Sequence, residues 1–201
     1  KFTGNVYAMR EGEIAFPNQP IVIVEGPLIE AQVLETPMLC IMNHQMAVAT
    51  KASRVCRATN RPVSEFGSRR AHGPWAATYG AKAAIIAGCS TTSNILTGAM
   101  FDYGSTGTMA HSYVTNIAAL YGPMEANSLA MDLWRKHFKC SLGIFLPDGI
   151  SLNGFMTNFS KENAKSFDGL RHDSGNEEEI TDLFVAKYKE LGINPMHKSI
   201  I

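Results

Sequence analysis

Apolar and polar positions along the chain fall into two textures. From Phe2 to Glu25 short apolar runs alternate with turn residues: Val6-Tyr7-Ala8-Met9, Glu11-Gly12, Ile14-Ala15-Phe16, Pro17-Asn18, then Ile21-Val22-Ile23-Val24. This pattern predicts three short strands in a small β module, closed by Gly26-Pro27. Leu28 to Leu34 predicts a helix that stops where Thr36-Pro37 offers an N-cap and a proline suited to a first helical position. A second helix then starts. From Pro37 to Thr50 it carries no formally charged residue, counting His44 as neutral, and Met38, Leu39, Ile41, Met42 and Met46 surround it, which predicts burial on several sides.

Beyond Asn60-Arg61-Pro62 short apolar or small-residue strands alternate with helices, and glycine marks the junctions. The predicted order is strand Val63–Gly67, helix Pro74–Ala87, strand Cys89–Thr91, helix Asn94–Phe101 and strand Tyr103–Thr108. Helices over about Ala110–Leu120 and Glu125–Phe138 follow, then strand Leu142–Leu146, helical material from Leu152 to Ala164, strand Phe167–Leu170, helix Glu177–Leu191 and a terminal strand from Ser199. This is an α/β pattern. It divides the chain into a β-rich segment with buried helices over residues 1–60 and a partial β/α barrel over residues 61–201. In a barrel the carboxyl ends of parallel strands converge on one mouth, where such folds place chemistry. A doubly wound open sheet gives the same local pattern, but neither Gly-x-Gly-x-x-Gly nor a Gly-x-x-x-x-Gly-Lys-Ser/Thr loop is present to support it.

Composition narrows the classes. A 201-residue chain that is 45% hydrophobic and 18% charged can bury a substantial core. With 18 basic and 18 acidic residues it has no electrostatic footprint for nucleic acid or an acidic membrane. No apolar run is long enough for a membrane span, and no signal peptide is visible at the N-terminus. Cys40, Cys56, Cys89 and Cys140 are widely spaced, which is neither a zinc pattern nor a secreted disulfide framework, and reads as reduced cytoplasmic thiols. Lys1 and the uncapped Lys198-Ser199-Ile200-Ile201 read as cut ends.

Candidate chemistry collects at the strand ends: Arg69 and Arg70, Ser90 to Asn94, Thr106 to His111, Asp148, and Arg171 to Ser174. An arginine fork matches a planar carboxylate or a phosphate. Gly107 lets backbone N–H groups approach a ligand, and helix starts at Asn94 and beyond Gly175 offer unpaired donors to phosphate. His111 is the only histidine that follows a glycine and hydroxyl turn, and Asp148 at a neighbouring strand end is the natural carboxylate to hold one of its ring nitrogens. Each assignment has a structural counterpart: a histidine at a helix start caps or packs, paired arginines near a loop form surface ion pairs, and Asp173-Ser174-Gly175 can be a turn with an N-cap. His44, His137 and His197 are read as structural.

Four segments in register, Glu65 to Gly73, Thr92-Ser93-Asn94, Gly107 to Ser112 and Gly169 to Gly175, closely resemble the nicotinate phosphoribosyltransferase family. So do Val6 to Met9, Gly26-Pro27 and Ala49 to Arg54. The resemblance implies an irregular α/β barrel with a β-rich appendage, usually a homodimer whose active site lies at the barrel mouth near the subunit interface. It implies a reaction of nicotinate with phosphoribosyl pyrophosphate that yields nicotinate mononucleotide and pyrophosphate, coupled to ATP hydrolysis through a transient phosphohistidine. His111 matches that histidine and Asp148 the carboxylate near it. Arg69 and Arg171 match arginines near the pyridine carboxylate and phosphates, Gly107 and Thr108 line the pocket, and Asp173 lies near the ribose. Ser174 joins these as a substrate-binding residue. Mg²⁺ is implied as a partner of ATP and pyrophosphate, with no resident metal site and no tightly bound cofactor.

Gly88-Cys89-Ser90-Thr91-Thr92-Ser93-Asn94 lacks the acidic residue that many relatives carry in the corresponding Gly-Phe-Asp-Gly-Thr-Ser-Asn. Full members are expected to be longer, with glycine-rich phosphate loops beyond Ile201 and an N-terminal tyrosine that stacks on the pyridine. The alternatives are a nicotinamide phosphoribosyltransferase, or a 201-residue product that acts only as an assembly module. The missing acid near Cys89 favours nicotinate over nicotinamide.

Overall fold

A computed structural model describes residues 1–139 and 142–201; the expectation of a free thiol at Cys140 lies outside the described residues. The chain separates into two compact units, Lys1–Gly107 and Thr108–Ile201. Both follow the α/β pattern of short strands alternating with helices.

In the first unit, β1 (Asn5–Ala8) and β2 (Val22–Glu25) pair antiparallel, with Asn5 opposite Glu25 and Ala8 opposite Val22. The strand expected at Ile14–Phe16 is absent. These residues form the loop between β1 and β2, tied off by local bonds such as Glu13 N–H to the Arg10 carbonyl. Two helices were expected next, but one continuous helix, α1 (Leu28–Arg57), runs through Pro37. Proline removes a single backbone donor and costs about 3 kcal/mol inside a helix. α1 nonetheless continues through Pro37 and packs on a second helix. The expected burial also fails. None of the residues of α1 is fully buried, and Leu39, Ile41 and Met46 are exposed, so absence of charge here does not mark core.

The helix that packs on α1 is α2 (Pro74–Ile86), which starts from Gly73 at φ +109° with Pro74 in its first turn. Its alanines and Gly80 allow close approach: a Cβ added at Gly80 would lie 3.2 Å from His44 Nε2, and that imidazole nitrogen stands 3.0 Å from the Ala76 carbonyl oxygen. Lys82, the one charged residue of α2, bonds Glu11 at 2.6 and 2.8 Å and lies 5.1 Å from the Phe101 ring centroid. β3 (Ser64–Glu65) pairs in parallel with β4 (Thr91–Thr92), and Thr92 bridges in parallel to Ser105. That single bridge is all that forms of the expected strand Tyr103–Thr108. Between them α3 (Ile95–Phe101) is capped by Asn94, whose side chain accepts from Thr97 N–H at 3.0 Å.

In the second unit, α4 (His111–Tyr121) and α5 (Ala126–Phe138) precede β5 (Ile144–Phe145). α6 (Leu152–Asn158), α7 (Lys161–Ser166), β6 (Gly169–Leu170), α8 (Glu177–Glu190) and β7 (Ser199–Ile200) complete it. The three strands form one parallel ladder in the order β5-β6-β7. None of the described ladders closes into a barrel. The core under this ladder is aromatic: Phe145 stacks on Phe155 at 5.9 Å and meets Phe167 edge-on at 5.7 Å, while Phe159 meets Tyr188 at 5.8 Å. Ser151, Ser160 and Asn176 cap α6, α7 and α8. No helix among the described residues is long and apolar enough to cross a membrane.

Tyr188 is fully buried, yet its hydroxyl has no hydrogen-bond partner among the described residues. Burial therefore raises its phenol above the ordinary value of 10. An acid whose folded pKa is raised costs nothing below its unfolded pKa and loses stability as pH climbs above it. Tyr188→Phe should leave the urea midpoint at pH 7 unchanged or raise it, and should reduce the loss of stability above pH 10. A decrease of more than about 1 kcal/mol at pH 7 would mean that the hydroxyl is bonded after all.

Candidate functional site

The second unit gathers six of the expected residues: Thr108, His111, Asp148, Arg171, Asp173 and Ser174. Three local features deliver them. His111 is the first residue of α4, so its backbone lies at the positive end of an eleven-residue helix. Asp148 sits in a single 3₁₀ turn, Pro147–Gly149, directly after β5. Gly149 packs that turn against α4, since a Cβ placed there would be 3.5 Å from Val114 Cβ and 3.8 Å from His111 Cδ2. Arg171, Asp173 and Ser174 follow β6. Gly175, at φ +101°, turns the chain into α8, where Asn176 rather than Ser174 supplies the N-cap.

Within this cluster His111 Nε2 lies 3.4 Å from Asp148 Oδ1 and 3.9 Å from Asp173 Oδ2. The imidazole is 42% exposed and Asp148 only 11%, so the histidine is open to a ligand while its carboxylate neighbour is screened. Asp148 Oδ1 is buried and makes no hydrogen bond among the described residues, whereas Oδ2 accepts one from Ser174 Oγ at 2.8 Å. Ser174, expected as a substrate-binding residue, thus gives its hydroxyl proton to a carboxylate. Arg171 donates to Thr108 Oγ1 at 2.5 Å and to Asp173. Its fork ties the segment ahead of α4 to the turn after β6. These contacts place a nucleophilic ring, two carboxylates and a guanidinium at the carboxyl ends of β5 and β6, a position that suits an anionic ligand.

The other two expected residues belong to the first unit. Arg69 is exposed in a 3₁₀ turn, Ser68–Arg70, and Gly107 has open space where a Cβ would stand. The sequence reading missed what shapes the Arg69 turn. One Glu65 oxygen accepts from Gly67 N–H and the other from Thr92 Oγ1 at 2.7 Å, while Asn94 Nδ2 donates to Ser68 Oγ at 3.2 Å. Only the position of Glu65, a lone carboxylate at a strand end, hinted at this. His172, inside the Arg171 to Ser174 strand end, was given no role of its own. Both of its ring nitrogens are shielded from solvent and unpartnered among the described residues, although its backbone N–H bonds Ile201 O at 2.7 Å.

Fold and cluster together define an α/β protein that carries its polar chemistry at the carboxyl ends of parallel strands. The nicotinate phosphoribosyltransferase (NAPRTase) family model matches residues 62–201, and the model of that family's N-terminal domain matches residues 1–43. The chain belongs to the nicotinate phosphoribosyltransferase family. It is 50% identical over 109 residues to the nicotinate phosphoribosyltransferase of Bacillus subtilis, covering 54% of this chain and 22% of that protein. With the enzyme of Rattus norvegicus it shares 33% over 155 residues, 70% of this chain and 29% of the relative. The crystal structure of nicotinate phosphoribosyltransferase from Porphyromonas gingivalis superposes with a TM-score of 0.72 at 27% identity, over 90% of this chain and 51% of that one. A nicotinate-nucleotide pyrophosphorylase structure from Pyrococcus furiosus gives 0.78 at 25% identity, over 99% and 51%. The chain therefore spans between about a fifth and a half of the lengths of the proteins it matches.

The Arg171 fork provides a direct check of this geometry. Arg171→Leu removes the side-chain bonds to Thr108 and Asp173 and should lower the unfolding free energy by about 1–3 kcal/mol in urea titrations. Arg171→Lys restores the charge but not the fork, so it should recover less than half of that loss. Full recovery by lysine would show that the two-pronged geometry is not used.

Proposed function

We propose that this chain supplies part of a nicotinate phosphoribosyltransferase that forms nicotinate mononucleotide and pyrophosphate from nicotinate and phosphoribosyl pyrophosphate, in the biosynthesis of NAD. The observation that carries the proposal is His111, open to ligand and flanked by Asp148 and Asp173, in a chain that belongs to this family. Displacing pyrophosphate from the anomeric carbon passes through an oxocarbenium-like state and needs no protein nucleophile. Arg69 and Arg171 are assigned to the anionic groups of the substrates, and Gly107 and Thr108 to the pocket lining. Asp173 is assigned to the ribose.

His111 serves the separate ATP half-reaction. Two carboxylates beside Nε2 favour the proton on that nitrogen, which leaves the Nδ1 lone pair as the nucleophile. A bond from Nδ1 to the γ-phosphorus forms as the bond from that phosphorus to the β,γ-bridging oxygen breaks, and ADP leaves. Water later takes the phosphoryl group and returns the free imidazole. Asp148 and Asp173 are the carboxylates that would hold Mg²⁺ carried in by the phosphates, a role that fits their place beside the exposed His111. The ion supplies neutralisation of phosphate charge. A homodimer working in the cytoplasm completes the reading.

The test uses the full polypeptide that carries this chain. γ-Labelled ATP should place an acid-labile label on His111. His111→Ala should cut labelling and ATP hydrolysis at least about a hundredfold while leaving slow, ATP-independent nucleotide formation. Labelling retained in His111→Ala would overturn the histidine's role, and exclusive use of nicotinamide in place of nicotinate would overturn the substrate.

A further inference from the structure

Away from the strand-end cluster, the first unit holds a pair of thiols in contact. Cys56 lies in the last turn of α1 and Cys89 just before β4, and their sulfurs are 3.7 Å apart. The backbones that carry them are also close. Gly88 adopts φ +121°, and a Cβ built on it would lie 3.4 Å from Cys56 Cβ and 3.6 Å from its sulfur. The Cys89 side is anchored. Cys89 N–H bonds Ala84 O at 3.0 Å, and the N–H and hydroxyl of Ser90 both bond Val63 O, at 2.8 and 3.0 Å. A disulfide needs sulfurs about 2 Å apart, so the pair must close from its 3.7 Å contact, a movement of the size that a side-chain rotation supplies.

Access is present as well. Cys56 is half-buried, and Cys89, though only 7% exposed, lines an apolar groove of about 440 Å³ together with Lys51, Val55, Val63, Glu65 and Phe66. We propose that Cys56 and Cys89 are a reversible modification site, a dithiol that a small disulfide such as oxidised glutathione converts to an intramolecular disulfide. The proposal is independent of the phosphoribosyltransferase reading. Burial, reinforced by the hydrogen bond with Cys56, pushes the Cys89 thiol up to about 12, so Cys56 attacks first. Its thiolate bonds one sulfur of the reagent and expels the other as a thiolate. Cys89 sulfur then attacks Cys56 sulfur, releases the second reagent thiolate, and gives its proton to solvent. Two protein thiols are oxidised and one disulfide is reduced to two thiols. The product ties the end of α1 to the entry of β4, across a sequence separation of 33 residues.

The experiment exposes the unmodified protein to graded ratios of oxidised to reduced glutathione, followed by alkylation, intact mass and peptide mapping. Alkylatable cysteines should fall from four to two, with a mass loss of about 2 Da and a peptide linking Cys56 to Cys89. Dithiothreitol should reverse all three changes. The second step should accelerate about tenfold per pH unit between pH 7 and 9, as more Cys89 ionises. Cys89→Ser should stop at a stable glutathione adduct on Cys56. Three results overturn the proposal: a glutathione adduct on Cys56 that accumulates without a cross-link in the unmodified protein, a cross-link through Cys40 or Cys140 instead, or both thiols still free under conditions that modify the exposed Cys40. The peptide map of the unmodified protein decides even if a variant fails to fold.

Discussion

The second unit depends on the two residues of β6. Gly169 and Leu170 form the middle of the three-stranded ladder, with β5 on one side and β7 on the other, and both are buried. A side chain at Gly169 would collide with the Ser199 carbonyl oxygen, so close strand approach at that position requires glycine. The ladder continues past the strand on both sides, with Arg171 N–H to Phe145 O at 2.8 Å and His172 N–H to Ile201 O at 2.7 Å. Backbone bonds thus fix Arg171 and His172 before any side chain acts, and Asp173 and Ser174 follow from there. Asp148 arrives from the neighbouring strand end, and Gly149 seats its turn on α4. The site is a register effect first and an electrostatic one second.

Electrostatics then sets how the cluster behaves. Among the described residues Asp148 Oδ1 is buried without a hydrogen bond, and His111 Nε2 stands 3.4 Å from it. Leaving an acceptor unsatisfied in a screened position is costly, and such groups concentrate where a ligand or a moving proton completes them. Ser174 and Arg171 hold the two carboxylates by their other oxygens. The carboxylates are therefore fixed while the imidazole between them stays open, which is the reverse of a histidine used for packing. His44 shows the packing case, its ring nitrogen beside the Ala76 carbonyl and the backbone of Gly80.

Much of this was legible because turn and cap chemistry is local. Gly73-Pro74 marks the start of α2, Asn94 the cap of α3, and the strand ends at Asp148 and Arg171 lie where period and glycine placement put them. Strand ends and the family resemblance together grouped Thr108, His111, Asp148, Arg171, Asp173 and Ser174 in the sequence. The strand-end rule brings Asp148 and the run from Arg171 to Ser174 together because β5 and β6 are adjacent parallel strands, whereas Thr108 and His111 precede and open α4 with no strand directly before them. What was not legible is non-local. Thr36-Pro37 carries a strong local stop signal, yet α1 runs through it as one helix that packs on α2. The charge-free stretch from Pro37 to Thr50 reads as core in any window, but only the identity of its neighbours decides burial, and the described chain leaves much of it uncovered. Glu65 was missed for the same reason: its oxygens serve Gly67 and Thr92, and nothing near it in sequence announces Thr92.

Lys198 carries a consequence for how the second unit assembles. Its ammonium donates to the carbonyls of Lys165 and Phe167, at 3.1 and 2.6 Å, and so closes the carboxyl end of α7 from a position beside β7. α7 has only six residues, far fewer than a helix needs to persist alone. Its last turn therefore gains this partner only when a segment some thirty residues later has docked. The carboxyl end of α7 and the chain entering β7 thus support each other across the unit.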